Sequence, residues 1–257
     1  GGLGNQLFGF AAGLELSPRT GLPLCLVTSF LRANDSDTAR SFELGELVAR
    51  PVTVAAQGSN RCFTERTFAF DENFLSLDGP TLLDGYFQSS RYFSSVSALV
   101  RERIRQTPSF SAGRESMGQS PFIGVQFRRG DYRGAHQENF HGLVTDSYFL
   151  RGVELARSIV GNLPVVVFSD EYEEAVRLAS TIVGAEAHSP RPDGNSMETL
   201  GALSEASSLV ISNSTFGWWG AYLGDSMVEV VVPRPWFKAR GLDTTDLVER
   251  TWISIGY

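Results

Sequence analysis

Short apolar, β-branched runs recur along this chain, and stretches of helical period fall between them. That alternation leaves few folds open. Residues 24–27, 52–55, 81–87, 122–127, 165–168, 209–211 and 228–232 read as buried strands. Between them Leu99, Val100, Arg103 and Ile104, then Tyr148, Leu150, Val153, Leu155 and Ala156, fall at helical spacing with their apolar members on one face. Strand alternating with helix predicts an α/β fold with a parallel sheet covered on both faces. With 257 residues, 42% of them hydrophobic, the chain has material for one large core or two domains. The pattern weakens over residues 107–119, where Thr, Pro, Ser, Ala and Gly dominate, so a linker is expected there, dividing the chain into domains 1–118 and 119–257. Residues 189–196, with Pro190, Pro192 and Gly194, read as a surface loop.

Twenty-nine acidic residues against 22 basic ones give a formal charge of -7, which repels polyanions, so no nucleic-acid partner is expected. No apolar run approaches the roughly 20 residues of a membrane-spanning helix, and the start GGLGNQLFGF lacks the basic region of a signal peptide. Cys25 and Cys62 are too few for a disulfide framework and lack zinc-site spacing. The sequons at Asn34 and Asn213 would matter only in a secretory lumen.

Three familiar chemistries fail on residue identity. A P-loop needs a lysine in a glycine-rich turn, and the single lysine, Lys238, is not in one. Gly2 and Gly4 begin a dinucleotide fingerprint, but Leu7 stands where the third glycine belongs. His136, His141 and His188 are not spaced as a catalytic zinc pair. Asp35 and Asp37 form a D-x-D in a polar loop, where chance explains the spacing better than metal binding. No metal or other cofactor is expected.

The most informative stretch is Ile123-Gly124-Val125-Gln126-Phe127-Arg128-Arg129-Gly130-Asp131-Tyr132, an apolar strand that ends in two arginines. Ligands of parallel sheets bind at the carboxyl ends of strands, so a guanidinium there faces a cleft and can fork onto two phosphate oxygens. A structural ion pair such as Arg129 with Asp131 carries equal weight from this stretch alone. Around Ser212-Asn213-Ser214-Thr215-Phe216 a strand runs into a helix, whose free N–H groups favour an anion. Capping alone also explains the hydroxyls, and packing explains Trp218 and Trp219. Asp170 closes another strand, as a sugar or base ligand or as a helix cap. Gly2, Gly4, Asn5 and Gln6 open a helix where a backbone can approach a ligand, though a bare tight turn would look the same. Tyr86 and Gln88 are of the kind that line sugar sites, beside aromatics that core packing explains equally well.

The set and its order resemble the α-1,2-fucosyltransferase family, the inverting enzymes that use GDP-fucose. The resemblance rests on G-G-L-G-N-Q-L-F at Gly1 to Phe8 and on G-Y-F-Q-S with its following Y-F at Gly85 to Phe93. Q-F-R-R-G-D-Y at Gln126 to Tyr132, F-S-D at Phe168 to Asp170 and N-S-T-F-G-W-W-G-A-Y-L at Asn213 to Leu223 complete it. Gln126 stands where the family has histidine, and Thr199, beside Glu198, where it tends to have an acid used in guanine recognition. The family also has a strand ahead of the first motif, so a truncated chain is expected.

The resemblance implies two facing Rossmann-like domains of the GT-B type, 1–118 on the acceptor side and 119–257 binding GDP-fucose. It implies inverting transfer to the 2-hydroxyl of a terminal galactoside without a metal. Arg128 would neutralise the departing phosphate and Asp131 would take the acceptor's proton. Gly2, Gly4, Asn5, Gln6, Tyr86, Gln88, Gln126, Arg129, Asp170, Asn213, Ser214, Thr215 and Phe216 would bind substrate. Membrane association in the Golgi lumen is implied if an amino-terminal anchor has been lost, and a cytoplasmic place otherwise. The alternatives are a non-catalytic glycan- or nucleotide-binding homologue, or fucose transfer in a different linkage.

Overall fold

The computed structural model describes residues 1–28, 41–48, 61–128, 139–191, 194–225 and 227–257. The chain divides into two compact units, Gly1–Thr107 with Leu242–Glu249, and Pro108–Gly241 with Arg250–Tyr257.

The first unit opens with α1 (Leu3–Thr20), whose extended cap residue is Gly2 and whose Leu7, Phe8, Ala11 and Leu14 are buried. Two parallel strands, β1 (Arg61–Thr64) and β2 (Thr81–Asp84), form its sheet among the described residues. Phe63 of β1 packs with Phe70, Phe74, Phe87 and Tyr92 in an aromatic cluster, edge-on, tilted or stacked, at 4.7–6.4 Å between ring centroids. A 3-10 segment, Ser90–Val96, leads into α2 (Ser97–Arg105). Segment Leu242–Glu249 rejoins this unit through Asp246, which accepts the Phe70 backbone N–H at 3.0 Å and pairs with Arg91 at 3.2 Å.

The second unit holds α3 (Pro108–Ser116), β3 (Ile123–Phe127), α4 (Asp146–Val160), β4 (Val165–Ser169), α5 (Tyr172–Ala179), β5 (Ala185–Ala187), α6 (Ser196–Ser204), β6 (Ser208–Ile211), α7 (Thr215–Leu223), β7 (Glu229–Arg234) and β8 (Ile253–Gly256). Its strands form one wholly parallel sheet in the order β5-β4-β3-β6-β7-β8. Alternate residues Ile123, Val125, Phe127, Val165, Val167, Val210 and Val231 meet α4 and α5 on one face. On the other, Gly124 lies so near Leu209 and Ala206 that a Cβ would sit 2.7–3.0 Å from them. Both faces are covered, which is why β3 is buried throughout.

Three expectations are corrected. The stretch 107–119 is not a linker: α3 occupies most of it, and the units divide at Thr107/Pro108. Its Gly113 faces the Glu198 carbonyl of α6, while Gly201 of α6 faces the Phe110 carbonyl. In each case a Cβ would collide with backbone, so the small residues that suggest flexibility serve close helix packing. Run 81–87 stops as a strand at Asp84, because the next residues turn under Glu65. Run 24–27 makes only an isolated bridge at Val27, and run 52–55 lies outside the described residues, as do Arg129, Asp131, Asp35 and Asp37.

Candidate active site

Strand order reverses direction between β3 and β6, the successor of β3 lying on one side of it and β6 on the other. At such a switch point the two crossovers leave on opposite faces, and a crevice opens at the strand ends. Arg128 follows β3 directly, half-buried, its Nε 3.8 Å from Oδ2 of Asp170 at the end of β4. Asp170 is not the helix cap, since α5 is capped by Glu171 without a side-chain bond. Across the crevice Ser214 is the cap residue of α7, and its own side chain makes no capping bond. An anion at this place would meet a guanidinium and the positive end of a helix together.

Gln126 and Ser212 fasten these elements. The Ser212 hydroxyl donates to Gln126 Oε1 at 2.7 Å, and the Ser212 N–H donates to the Gln126 carbonyl at 3.0 Å. The same Oε1 lies 2.7 Å from where a Gly217 Cβ would fall, so only glycine lets the first turn of α7 come so near. Gln126 is therefore buried behind the crevice instead of lining it. Asn213, likewise buried, spends its Nδ2 on the carbonyls of His141 at 2.7 Å and Trp236 at 3.1 Å. It holds neighbouring loops in place, and its sequon is closed to a glycan. Thr215 and Phe216 are half-buried in the first turn of α7.

Two histidines that the sequence raised only as zinc ligands lie near this edge. His141 is held below the ordinary imidazole range by burial first and by the charge of Arg128 second. His188 is lowered by burial, against an opposing pull from Glu198. It stacks on Phe168 at 4.5 Å and 28° and lines a cavity of about 350 Å³ beside α6. There Arg191 forks onto Glu198, Nε to Oε1 at 2.6 Å and Nη2 to Oε2 at 2.8 Å. The signal for His188 was weak, because β5 spans only three residues. As pH falls below about 6.5 the unfolded chain takes up protons before these folded-state imidazoles do. Stability is thus full above that value and lost as pH drops through the folded-state values. Unfolding midpoints should fall between about pH 7.5 and pH 5.5, and fall less in His188→Phe; an equal decline in that variant would contradict the assignment.

The first unit carries its own constellation. Asn5 Oδ1 accepts Gln88 Nε2 at 3.0 Å near the head of α1, beside Gly2 and the buried Gly4. Tyr86 is half exposed. Gln6 ties the head of α1 to the segment at 41–43: its Nε2 donates to the carbonyls of Gly1 and Ser41, and its Oε1 accepts the Glu43 N–H at 3.0 Å. A side chain so occupied has little left for a ligand. Among the described residues, no three His, Cys, Asp or Glu side chains stand together as metal ligands.

The second unit is a wholly parallel α/β unit with a guanidinium and a helix start at its switch point, the place where open α/β sheets receive ligands. Residues 69–256 match the family described as glycosyl transferase family 11, and the chain belongs to that family. Among similar proteins, the alpha-1,2-colitosyltransferase of Escherichia coli is 28% identical over 188 residues, covering 70% of this chain and 64% of the relative. The O-antigen biosynthesis glycosyltransferase WbnK of Escherichia coli is 22% identical, with 99% and 98% covered. The galactoside 2-alpha-L-fucosyltransferase of Caenorhabditis elegans is 25% identical, with 61% and 45% covered. The chain thus spans less than two thirds of the colitosyltransferase and under half of the nematode enzyme. A crystal structure of POFUT1 in complex with GDP-fucose aligns at TM-score 0.46 and 13% identity over 90% of this chain and 94% of that one. No helix among the described residues is long and apolar enough to cross a membrane.

Proposed function

We propose that this chain transfers fucose from GDP-fucose to the 2-hydroxyl of a terminal galactoside, with inversion at the sugar's anomeric carbon. The observation that carries the proposal is Arg128 at the switch point, on the side of the sheet where α7 begins. In the displacement the acceptor oxygen bonds to the anomeric carbon as the bond to the β-phosphate oxygen breaks, and the electron pair leaves with GDP. Negative charge therefore grows on the phosphate, and fixed positive groups there stabilise the transition state more than the ground state. Arg128 supplies charge that does not titrate away, and the α7 start supplies aligned N–H groups. Asp170, beside Arg128, keeps the guanidinium oriented or takes a sugar hydroxyl. The cavity lined by His188 and Glu198 suits a purine, and β4 joins it to the crevice, since Phe168 lies under His188 while Asp170 reaches Arg128. Asp131 remains the proposed acceptor of the hydroxyl proton, and no metal enters the scheme.

One observation favours a second donor: the 28% identical relative is named for colitose. Purified chain incubated with GDP-fucose, or with the colitose donor, and an array of galactose-terminated glycans should release GDP detectable by mass spectrometry. Release should survive EDTA. Absence of release with every pair would favour the non-catalytic binding reading, and loss with EDTA restored by manganese would bring back Asp35 and Asp37.

A further inference from the structure

The two strands of the first unit end side by side, Thr64 paired with Asp84, and Glu65 is the residue that follows β1. Its carboxylate turns onto the chain that follows β2. Oε2 accepts the backbone N–H of Tyr86 at 2.7 Å and that of Phe87 at 2.9 Å, while the Glu65 N–H donates to the Asp84 carbonyl at 2.9 Å. Phe87 has φ +53°, the positive-φ non-glycine residue among those described. A side chain with a Cβ resists that conformation, so something must hold it. Two adjacent amides converging on one carboxylate oxygen are bonds strong enough to do so. Gly85 is required by the same approach, since a Cβ there would lie 2.5 Å from Glu65 Cβ.

The turn decides where three side chains go. Tyr86 is left exposed, Phe87 enters the aromatic cluster, and Gln88 becomes buried with its Nε2 on Asn5. Gln88 Oε1 is then a buried acceptor with no hydrogen-bond partner. Buried acceptors are nearly always met by a donor, and a hydroxyl is the donor a sugar carries. Burial raises the carboxyl pKa of Glu65, with the Phe87 and Tyr86 amides opposing the rise.

We propose that Glu65 is the positioning residue of a saccharide-acceptor subsite, setting the left-handed turn that holds Gln88 against Asn5 and presents the Gln88 oxygen to an acceptor hydroxyl. This rests on the glycosyltransferase activity proposed above. Glu65→Ala removes both amide bonds, whereas Glu65→Gln keeps a carbonyl oxygen in their place. In Glu65→Ala the acceptor KM should rise about tenfold or more, as loss of two hydrogen bonds implies, with GDP-fucose affinity measured by calorimetry unchanged. Hydrogen exchange at the Tyr86 and Phe87 amides should accelerate by a similar factor. Glu65→Gln should recover most of both. Unchanged exchange in folded Glu65→Ala, or donor affinity falling as far as acceptor affinity, overturns the role. Should Glu65→Ala not fold, Glu65→Asp, one methylene short of the amides, carries the same test. A wild-type chain without transfer activity would sink the proposed reaction, while the exchange measurement would still decide what Glu65 does.

Discussion

Arg128→Lys should lower sugar transfer by roughly 100-fold or more while leaving the fold intact, because removing one preorganised donor from developing charge costs ~3 kcal/mol in comparable sites. Lysine keeps the charge but not the planar fork, so it cannot hold two phosphate oxygens at once. Arg128→Ala should do at least as much damage. Stability should move little, since the Arg128 side chain is partly exposed and its pairing with Asp170 spans 3.8 Å, a geometry worth about 0–1 kcal/mol. The measurement is kcat and KM for the donor beside a thermal unfolding curve. A folded Arg128→Lys enzyme with near-normal kcat would remove the guanidinium from the mechanism.

Gly201→Ala should be the more damaging change to the fold, although it adds only a methyl group. That methyl would collide with the Phe110 carbonyl of α3, and backbone cannot step aside as a flexible side chain can. Overpacking of this kind costs about 3 kcal/mol or more when the obstacle is rigid, which lowers the unfolding midpoint by roughly 6–12 °C in a domain of this size. Gly113→Ala, facing the Glu198 carbonyl from the opposite helix, should behave alike. Activity should fall too, because α6 carries Glu198 and its displacement would reshape the cavity that Ser116 and Met117 of the α3 end also line. An unfolding midpoint within a degree or two of wild type would show that the helices can separate without cost.

Where a strand lies in the middle of the large sheet, its sequence announces it. β3, β4, β6 and β7 are apolar on both faces because helices cover both, and each was visible as a run. β1, β5 and β8 were not legible: each has three or four residues and little full burial, so nothing in their composition separates them from loop. Arg128 and the Ser214–Thr215 turn were legible as positions at the carboxyl ends of apolar runs, and there the structure places them, after β3 and between β6 and α7. Gln126, Gln6 and Asn213 looked like ligand contacts for the same reason, yet Gln6 bonds within the protein through both amide atoms, Gln126 through its Oε1 and Asn213 through its Nδ2. Glu65 gave no signal at all. Its importance lies in which two amides it meets, and those belong to residues that follow a different strand. The membrane and Golgi expectation finds no support in the relatives.

Local order was written in the chain: the alternation of buried strands and one-faced helices, the arginine at a strand end, and the family's motifs are all periodic or contiguous, and a reader needs no coordinates for them. Which strands adjoin, and so where direction reverses and a crevice opens, depended on pairing between residues some eighty apart, such as Gln126 with Ile211. The same distinction governs the glycines at 113 and 201. One sequence pattern suits both a loose connection and a tight helix crossing, and only the presence of a second backbone within contact distance makes it the latter.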